Sequence, residues 1–177
     1  MLVPEELGTI NEFEAVVKTY GKIQYPENEN PLQFRYFWHI APQNRARREH
    51  GDVPFEPTHW VLHTDDVLEN SQNKSYRNQA ALVASLAQET FVDWQVPNLR
   101  DTIATIFLKK IATGESLYQA GNDQNGNIYT YTRVKETTND WHLAVGGFAP
   151  AGLCVSNYYS PDLGYCVSFG VGALRKF

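Results

Sequence analysis

Hydrophobic and β-branched residues recur at strand spacing through the last third of the chain, Asn127–Phe177. Four such runs, residues 127–135, 141–148, 152–159 and 164–171, are separated by short clusters that contain Pro, Asn or Asp. β-Branched and aromatic side chains fit a pleated, half-buried surface, whereas Pro, Asn and Asp favour turns. The pattern therefore predicts an antiparallel meander built from these four runs.

Two further strands are predicted upstream of the meander, at Gln33–Ile40 and Thr58–Thr64. Successive side chains on a strand point to opposite faces. In the second run this alternation places His59 and His63 on one face, opposite Trp60. We expect both strands to join the sheet formed by the meander.

Apolar residues at helical spacing predict three helices with recognisable ends. A Thr-x-x-Glu capping box at residues 9–12 opens the first helix, and Gly21 is its predicted stop. Ser75 begins the second helix, and the third is bounded by the cap residue Asn98 and the stop residue Gly114. The apolar stripe of the second helix comprises Ala80, Val83, Ala84, Ala87, Phe91 and Trp94.

These elements together predict an α+β fold. We expect an antiparallel meander sheet of about five to seven strands with two or three helices packed on one face. A length of 177 residues fits a single domain spanning residues 1–177. Neither an internal repeat nor a second domain is apparent in the sequence.

The charge balance narrows the choice of partners. Fifteen Lys and Arg against twenty Asp and Glu give a formal net charge of −5, which disfavours nucleic acid as a partner. The cluster of arginines at positions 45, 47 and 48 suits phosphate or carboxylate binding, but local pairing with Glu49 and Asp52 is the favoured interpretation. The least charged run, Leu143–Val155, is too short to span a bilayer, and no membrane association is predicted.

The two cysteines raise the question of whether the protein works in a reducing or an oxidising compartment. With no signal peptide visible, we expect a soluble cytoplasmic protein with reduced thiols. Cys154 and Cys166 lie nearly symmetrically about the predicted turn at Ser160–Pro161. A bridge between them is the alternative that a secreted protein would favour.

Histidines and arginines borne on strands form the candidate site. If the upstream strands join the meander, one sheet face gathers these residues. His59, His63 and His39 are the candidate catalytic residues, because imidazoles titrate near neutrality and suit acid–base chemistry. The candidate ligand-binding residues are Arg35, Tyr129, Tyr131, Arg133 and His142. Such a face suits a phosphate ester, a phosphodiester or a carboxylate.

Neither a metal ion nor a cofactor is predicted. His59, His63 and Asp65 alternate on one strand, but side chains four residues apart on a flat strand are separated by roughly 13 Å. Asp123, Asn125 and Asn127 are spaced like calcium ligands, yet the loop lacks the remaining ligands and a closing Glu, and it carries the Asn-Gly signature of a hairpin turn.

Two functional hypotheses from different classes follow. The first is a soluble domain that binds a small anionic ligand, with histidine acid–base chemistry on a sheet face; whether it is an enzyme stays open. The second is a non-catalytic assembly or interaction subunit that binds a protein partner. It would use an aromatic-rich surface and a C-terminal edge strand at Leu174–Phe177. The sequence does not predict the oligomeric state.

Overall fold

Helices and strands alternate irregularly along the chain in an α+β arrangement, which confirms the predicted class. A computed structural model describes residues 1–24, 34–36, 45–118, 130–149, 152–156 and 168–177. The helices in these ranges are α1 (Ile10–Gln24), α2 (Arg45–His50), α3 (Tyr76–Thr90) and α4 (Leu99–Thr113), with a 3-10 turn at Glu5–Leu7. The strands are β1 (Leu2–Val3), β2 (Phe34–Tyr36), β3 (His59–His63), β4 (Tyr131–Thr138), β5 (Trp141–Ala149), β6 (Gly152–Ser156), β7 (Phe169–Gly170) and β8 (Leu174–Lys176).

The strands form two sheets, where the sequence predicted one. The larger sheet has the order β2-β6-β5-β4-β7, and its five strands lie at the lower end of the expected range. Its centre, β4-β5-β6, is the predicted antiparallel meander. Both edges pair in parallel, β2 with β6 and β7 with β4. The end of the fourth predicted run is β7, which therefore lies beside β4 at the edge of the sheet and not next to β6. Residues 164–167 of this run lie outside the described part.

The smaller sheet has the order β1-β3-β8, and both of its pairings are antiparallel. The strand predicted at Thr58–Thr64 is β3, so it does not join the meander as expected. Its neighbours are two-residue β1 and three-residue β8, which come from opposite ends of the sequence. Such short strands carry too little pattern of their own to predict a pairing.

The helix ends follow local capping chemistry at most of the predicted positions. Thr9 and Glu12 form the reciprocal capping box of α1: the Glu12 amide donates to Thr9 Oγ1 at 3.2 Å, and the Thr9 amide donates to Glu12 Oε2 at 2.8 Å. Ser75 and Asn98 accept the equivalent amide bonds at the start of α3 and α4. The predicted end of α1 at Gly21 is wrong, because the helix continues to Gln24.

Helix α3, which is the second predicted helix, packs less deeply than its apolar stripe predicted. Phe91 adopts a left-handed conformation (φ 55°) at the end of α3 and is 96% exposed, so it leaves the stripe. The buried contact of α3 is instead a small cluster in which Val83 meets Val96, Val171 and Ala173. By contrast, α4 ends as predicted at Gly114, whose amide donates to the Lys110 carbonyl at 2.9 Å.

Helix α4 is the centre of the main core. Ile103 and Phe107 are fully buried, and α4 contacts β1 of the smaller sheet as well as β4 and β5 of the larger. Phe13 of α1 packs edge-on against Phe107 at 5.9 Å between ring centroids. The same core includes Val61 of β3 and residues of β4, β5 and β6, so one hydrophobic cluster joins both sheets.

The arginine cluster is a short helix held by ion pairs. Arg47 of α2 donates to Asn11 Oδ1 at 2.7 Å and to the buried Glu14 carboxylate at 2.9 Å, and this pairing ties α2 to α1. Arg45 pairs with Glu49 at 2.5 Å, as the favoured interpretation expected. Pairing within α2 accounts for Arg45, and pairing between α2 and α1 accounts for Arg47, rather than an anion site.

Two sequence predictions depend on residues that the structure does not describe. Cys154 is buried on β6, while Cys166 lies outside the described residues, so the expected reduced thiols and the alternative bridge are both untested. The Asn125–Gly126 turn also lies outside them. The sequence pair Gly146-Gly147 predicts a bulge or a close backbone approach. This prediction is confirmed, because the β5–β6 register shifts between Gly146 and Ala149, and a Cβ on Gly146 would lie 2.2 Å from the Thr130 carbonyl oxygen.

Candidate functional site

The predicted site residues are divided between the two sheets. His59 and His63 lie on β3 of the smaller sheet, whereas Tyr131 and Arg133 lie on β4 and His142 on β5 of the larger. In the backbone register of the larger sheet, Arg35 on β2 pairs with Cys154. His39 and Tyr129 lie outside the described residues. Most of the predicted ligand-binding residues thus lie on the larger sheet. The two histidines of β3 lie on the smaller sheet instead.

His59 is a buried, hydrogen-bonded residue in this fold. Its Nδ1 lies 2.7 Å from the Pro57 carbonyl oxygen and its Nε2 lies 3.0 Å from Asp101 Oδ1. Both ring nitrogens are therefore within hydrogen-bonding distance of a partner inside the fold. His59 and Asp101 are both buried. Neither ring nitrogen is left to exchange a proton with a substrate.

Lys176 of β8 extends this cluster towards the surface. Its Nζ lies 3.8 Å from Asp101 Oδ2 and donates to the Glu56 carboxylate. The hydrogen bond from Lys176 is the main cause of the lowered pKa of Glu56, which is half-exposed. Through these contacts β3, β8 and the first turn of α4 are tied together.

His63 belongs to a polar network where the two sheets meet. Its Nδ1–H donates to the Thr64 carbonyl oxygen at 3.0 Å, and its Nε2 accepts from the Tyr118 hydroxyl at 3.0 Å. Burial lowers the pKa of His63 to about 4, so the ring is neutral at pH 7. Burial also raises the pKa of Tyr118, which is neutral as well.

The network continues from Tyr118 into the larger sheet. Thr132 of β4 hydrogen-bonds the Tyr118 side chain and accepts the Gly172 amide at 2.7 Å. A Cβ on Gly172 would lie 3.0 Å from His63 Cε1 and 3.2 Å from the Tyr118 hydroxyl. Tyr118 itself adopts a left-handed conformation (φ 60°), which is uncommon for a bulky residue. The close packing and the occupied ring nitrogens make His63 a junction residue between the sheets.

Arg133 and Tyr131 lie on the same face of the larger sheet. The pairs Tyr131–Gly146 and Arg133–Ala144 between β4 and β5 continue as pairs with Cys154 and Ser156 on β6, respectively. Residues paired across neighbouring strands point to the same side of a sheet. Arg133 is only 3% exposed there. Its guanidinium therefore puts a permanent positive charge on a largely buried face.

His142 lies beside this charge, at the start of β5. Burial is the main cause of its lowered pKa, and the charge of Arg133 lowers it further. The ring stacks on Tyr76 of α3, with 3.3 Å between centroids and an interplanar angle of 12°. Its Nδ1 lies 3.2 Å from the Val134 carbonyl oxygen, to which an Nδ1–H would donate. A predicted arginine therefore acts electrostatically on a predicted histidine in this part of the larger sheet.

A surface that the sequence analysis did not single out lies on the other side of the smaller sheet. The outward positions of β1, β3 and β8, together with the residue after β8, form what we call the outer face. Leu2 pairs with Trp60, Leu62 pairs with Arg175, and the Phe177 amide donates to the Trp60 carbonyl oxygen at 2.9 Å. The hydrophobic residues of the outer face are exposed: Leu2 39%, Trp60 58%, Leu62 48% and Phe177 61%.

The outer face contrasts with the inner side of the same strands. Val3, His59 and Val61 point inwards and are buried. The Arg175 guanidinium lies over the Phe177 ring, 4.4 Å from its centroid. The signal that could have revealed this surface is the run Thr58–Thr64, which carries hydrophobic residues on both of its faces.

The outer edge of β8 is already partly paired. Gln95 exchanges both backbone hydrogen bonds with Leu174, at 2.8 and 2.9 Å. The C-terminal edge strand of the second hypothesis therefore offers a partner its face more readily than its edge.

Metal-binding groups, membrane-spanning helices and similarity to known proteins each bear on what this site could do. In the described part of the chain, His, Cys, Asp and Glu side chains form no group of three or more that could hold a metal ion. Among the helices of the same ranges, none has the length and apolar character needed to cross a bilayer. Comparison of the chain with protein-family models, curated proteins and solved structures gives no match.

Proposed function

We propose that this protein is an interaction subunit whose outer face binds a partner polypeptide. The observation that carries the proposal is the exposure of Leu2, Trp60, Leu62 and Phe177 side by side on three adjacent strands. Contiguous exposed apolar patches on soluble proteins commonly mark binding surfaces. Trp is also among the residues that contribute most to protein interfaces.

The two aromatic residues alone supply a useful driving force. An aromatic side chain buries about 150–250 Å². At 58% and 61% exposure, Trp60 and Phe177 offer about 200–300 Å² for contact. At about 25 cal/mol per Å², covering this area contributes about 5–8 kcal/mol before the entropy lost on association is subtracted. A surface of this size suits a short segment bound with modest affinity.

The hydrogen bonds of β3 support an interaction role over catalysis on the smaller sheet. Both ring nitrogens of His59 and of His63 lie within hydrogen-bonding distance of partners inside the fold. A general acid or base needs a nitrogen that can reach the substrate proton. The inward histidines hold β3 in place while its outward residues remain available for contact.

Selection of short random peptides displayed on phage tests the proposal. We expect the wild-type protein to enrich peptides whose binding is lost in the Trp60→Ser, Leu62→Ser double variant. Phe91→Ser is the matched control, because Phe91 is an exposed aromatic residue on α3 and not on the outer face. Equal melting temperatures would show that the variants are folded. Peptides that bind the double variant as well as wild type would refute the proposal.

A second candidate function is the binding of a small anion at the larger sheet. It is favoured by the buried guanidinium of Arg133, which shares its face with Tyr131 and influences His142. Phosphate or a carboxylate would complement that charge. Acid–base chemistry by His142 would be a further step of the same proposal.

Histidine NMR signals recorded during a phosphate titration test this second candidate. We expect the His142 ring signals to shift in wild type, and to shift much less in Arg133→Met. His63, which lies on β3 of the smaller sheet and whose ring nitrogens are hydrogen-bonded inside the fold, serves as the internal reference for non-specific effects. A His142 signal that stays fixed as phosphate is added would exclude this site for phosphate.

A further inference from the structure

We infer that the segment bound by the outer face carries a carboxylate that pairs with Arg175, next to apolar side chains that cover Trp60 and Phe177. This inference rests on the proposed docking role of the outer face and specifies the chemistry of its partner. It is carried by the position of one cation within an otherwise hydrophobic surface.

Arg175 is the charged residue of the outer face. The outer face has four outward strand positions, Leu2, Trp60, Leu62 and Arg175, and the residue after β8, Phe177. The guanidinium lies on the Phe177 ring, so a partner that covers this ring also covers the charge. Removing a charge from water is costly unless an opposite charge with suitable hydrogen-bonding geometry replaces the water. A carboxylate satisfies a guanidinium with two parallel hydrogen bonds.

Lys176, the basic residue next to Arg175 on β8, makes contacts inside the fold that Arg175 does not make. Lys176 points to the opposite side of β8, where it contacts Glu56 and lies 3.8 Å from the buried Asp101 carboxylate. Arg175 has no carboxylate within ion-pairing distance among the described residues. Consecutive basic residues on one strand therefore have different roles: Lys176 closes an internal charge cluster, and Arg175 faces outwards.

A second copy of the chain fits this surface less well than an acidic segment. A two-fold contact of the outer face with itself would bring two Arg175 side chains into one small interface whose strand positions supply no carboxylate. The outer face has five side chains, whereas a standard stable interface uses roughly 20–30 residues per partner. Both the charge and the size of the face favour a short acidic and hydrophobic segment.

The segment is expected to lie across the face of the sheet. Adding a strand beside β8 is hindered, because the Leu174 amide and carbonyl already bond Gln95. Affinity on a sheet face comes from side chains, so it depends on residue type more than strand addition does. A preference for acidic residues in the partner should therefore be measurable.

Charge reversal at Arg175 tests the inference with the same displayed peptides. We expect wild type to enrich peptides that combine large apolar residues with Asp or Glu, and Arg175→Glu to enrich Lys or Arg instead. A synthetic peptide selected on wild type should bind Arg175→Glu about tenfold or more weakly by calorimetry. Arg77→Glu is the matched control, because Arg77 is exposed on α3 away from the outer face and its reversal should leave the affinity unchanged.

The possible results separate this inference from the proposed function. Peptides that require Trp60 but show no acidic preference, or that bind Arg175→Glu unchanged, would overturn the inference and leave the docking role in place. Binding that does not require Trp60 would overturn the docking role itself. A concentration-dependent dimer in sedimentation analysis that Trp60→Ser abolishes would make a second copy the occupant, and would also overturn the inference. The variant Arg175→Gln is the folding control. If its melting temperature is unchanged, a loss of peptide binding on substitution of Arg175 does not come from misfolding.

Discussion

Acid should destabilise this protein through His63. Burial lowers the pKa of His63 to about 4 in the folded chain, whereas a histidine in an unfolded chain has a pKa near 6.5. Below about pH 6.5 the unfolded state therefore binds a proton that the folded state excludes. The stability contributed by the neutral ring is fully present above that pH, and is lost as the pH falls towards 4. Below that pH both states are protonated at this residue, and its effect becomes constant.

The size of the effect follows from the difference between the two pKa values. A tenfold change in proton affinity corresponds to about 1.4 kcal/mol, so a pKa of about 4 instead of 6.5 gives a loss of about 3 kcal/mol. This is an upper bound, because the side chain of His63 is only partly enclosed. The structural cause is specific: a protonated Nε2 would meet the Tyr118 hydroxyl, which now donates to it at 3.0 Å.

Urea unfolding followed by tryptophan fluorescence measures this loss. We expect His63→Gln to lose about 2–3 kcal/mol less than wild type between about pH 7 and pH 4, since the variant has nothing to protonate at this position. Carboxylates titrate equally in both proteins and cancel in the comparison. Tyr118→Phe should show an intermediate pH dependence, because the neutral ring loses the donor that favours it. The reasoning is refuted if His63→Gln and wild type lose stability in parallel, or if NMR shows His63 titrating near pH 6.5.

Substitutions at three further positions test other parts of the fold by thermal and urea unfolding. Asp101→Ala should cost about 1–3 kcal/mol, because it leaves the buried Nε2 of His59 without its hydrogen-bond partner, while Asp101→Asn should cost less since its side-chain amide can still hydrogen-bond that nitrogen; equal losses would contradict the hydrogen bond. Gln79→Ala should cost about 2–3 kcal/mol, because the fully buried amide of Gln79 donates to two backbone carbonyls at 2.8 and 2.9 Å; a loss below about 0.5 kcal/mol would show that these bonds contribute little. Gly146→Ala should cost at least about 2 kcal/mol, because the added Cβ would lie 2.2 Å from the Thr130 carbonyl oxygen; an unchanged melting temperature would contradict this close approach.

Local chemistry made much of the secondary structure predictable. The Thr9–Glu12 box, the caps at Ser75 and Asn98 and the stop at Gly114 each depend on residues within one turn of the helix end. The alternation of β4 and the bulge near Gly146 are likewise properties of a single strand and its hairpin partner. Such features are encoded over a few residues, so a single sequence carries them.

The division into two sheets was not predictable in the same way. Alternation within Thr58–Thr64 separates the face of His59 from that of Trp60, but does not say which face is buried. That choice depends on Asp101 and Pro57, which lie within hydrogen-bonding distance of His59, and on β1 and β8, which are too short to be recognised. The predicted grouping of the histidines assumed one sheet, and long-range pairing placed β3 in another.

The topology of the smaller sheet has a consequence for when the proposed binding surface forms during folding. Its three strands come from residues 2–3, 59–63 and 174–176, so the sheet is complete only after the most distant segments of the sequence have met. Contacts of such long sequence separation form late in folding, because chain entropy opposes them until other structure is in place. A nascent or partly unfolded chain would present Trp60 without its flanking strands. Recognition of the assembled surface would then distinguish finished molecules from unfinished ones, and a bound partner would hold the two ends of the sequence in place.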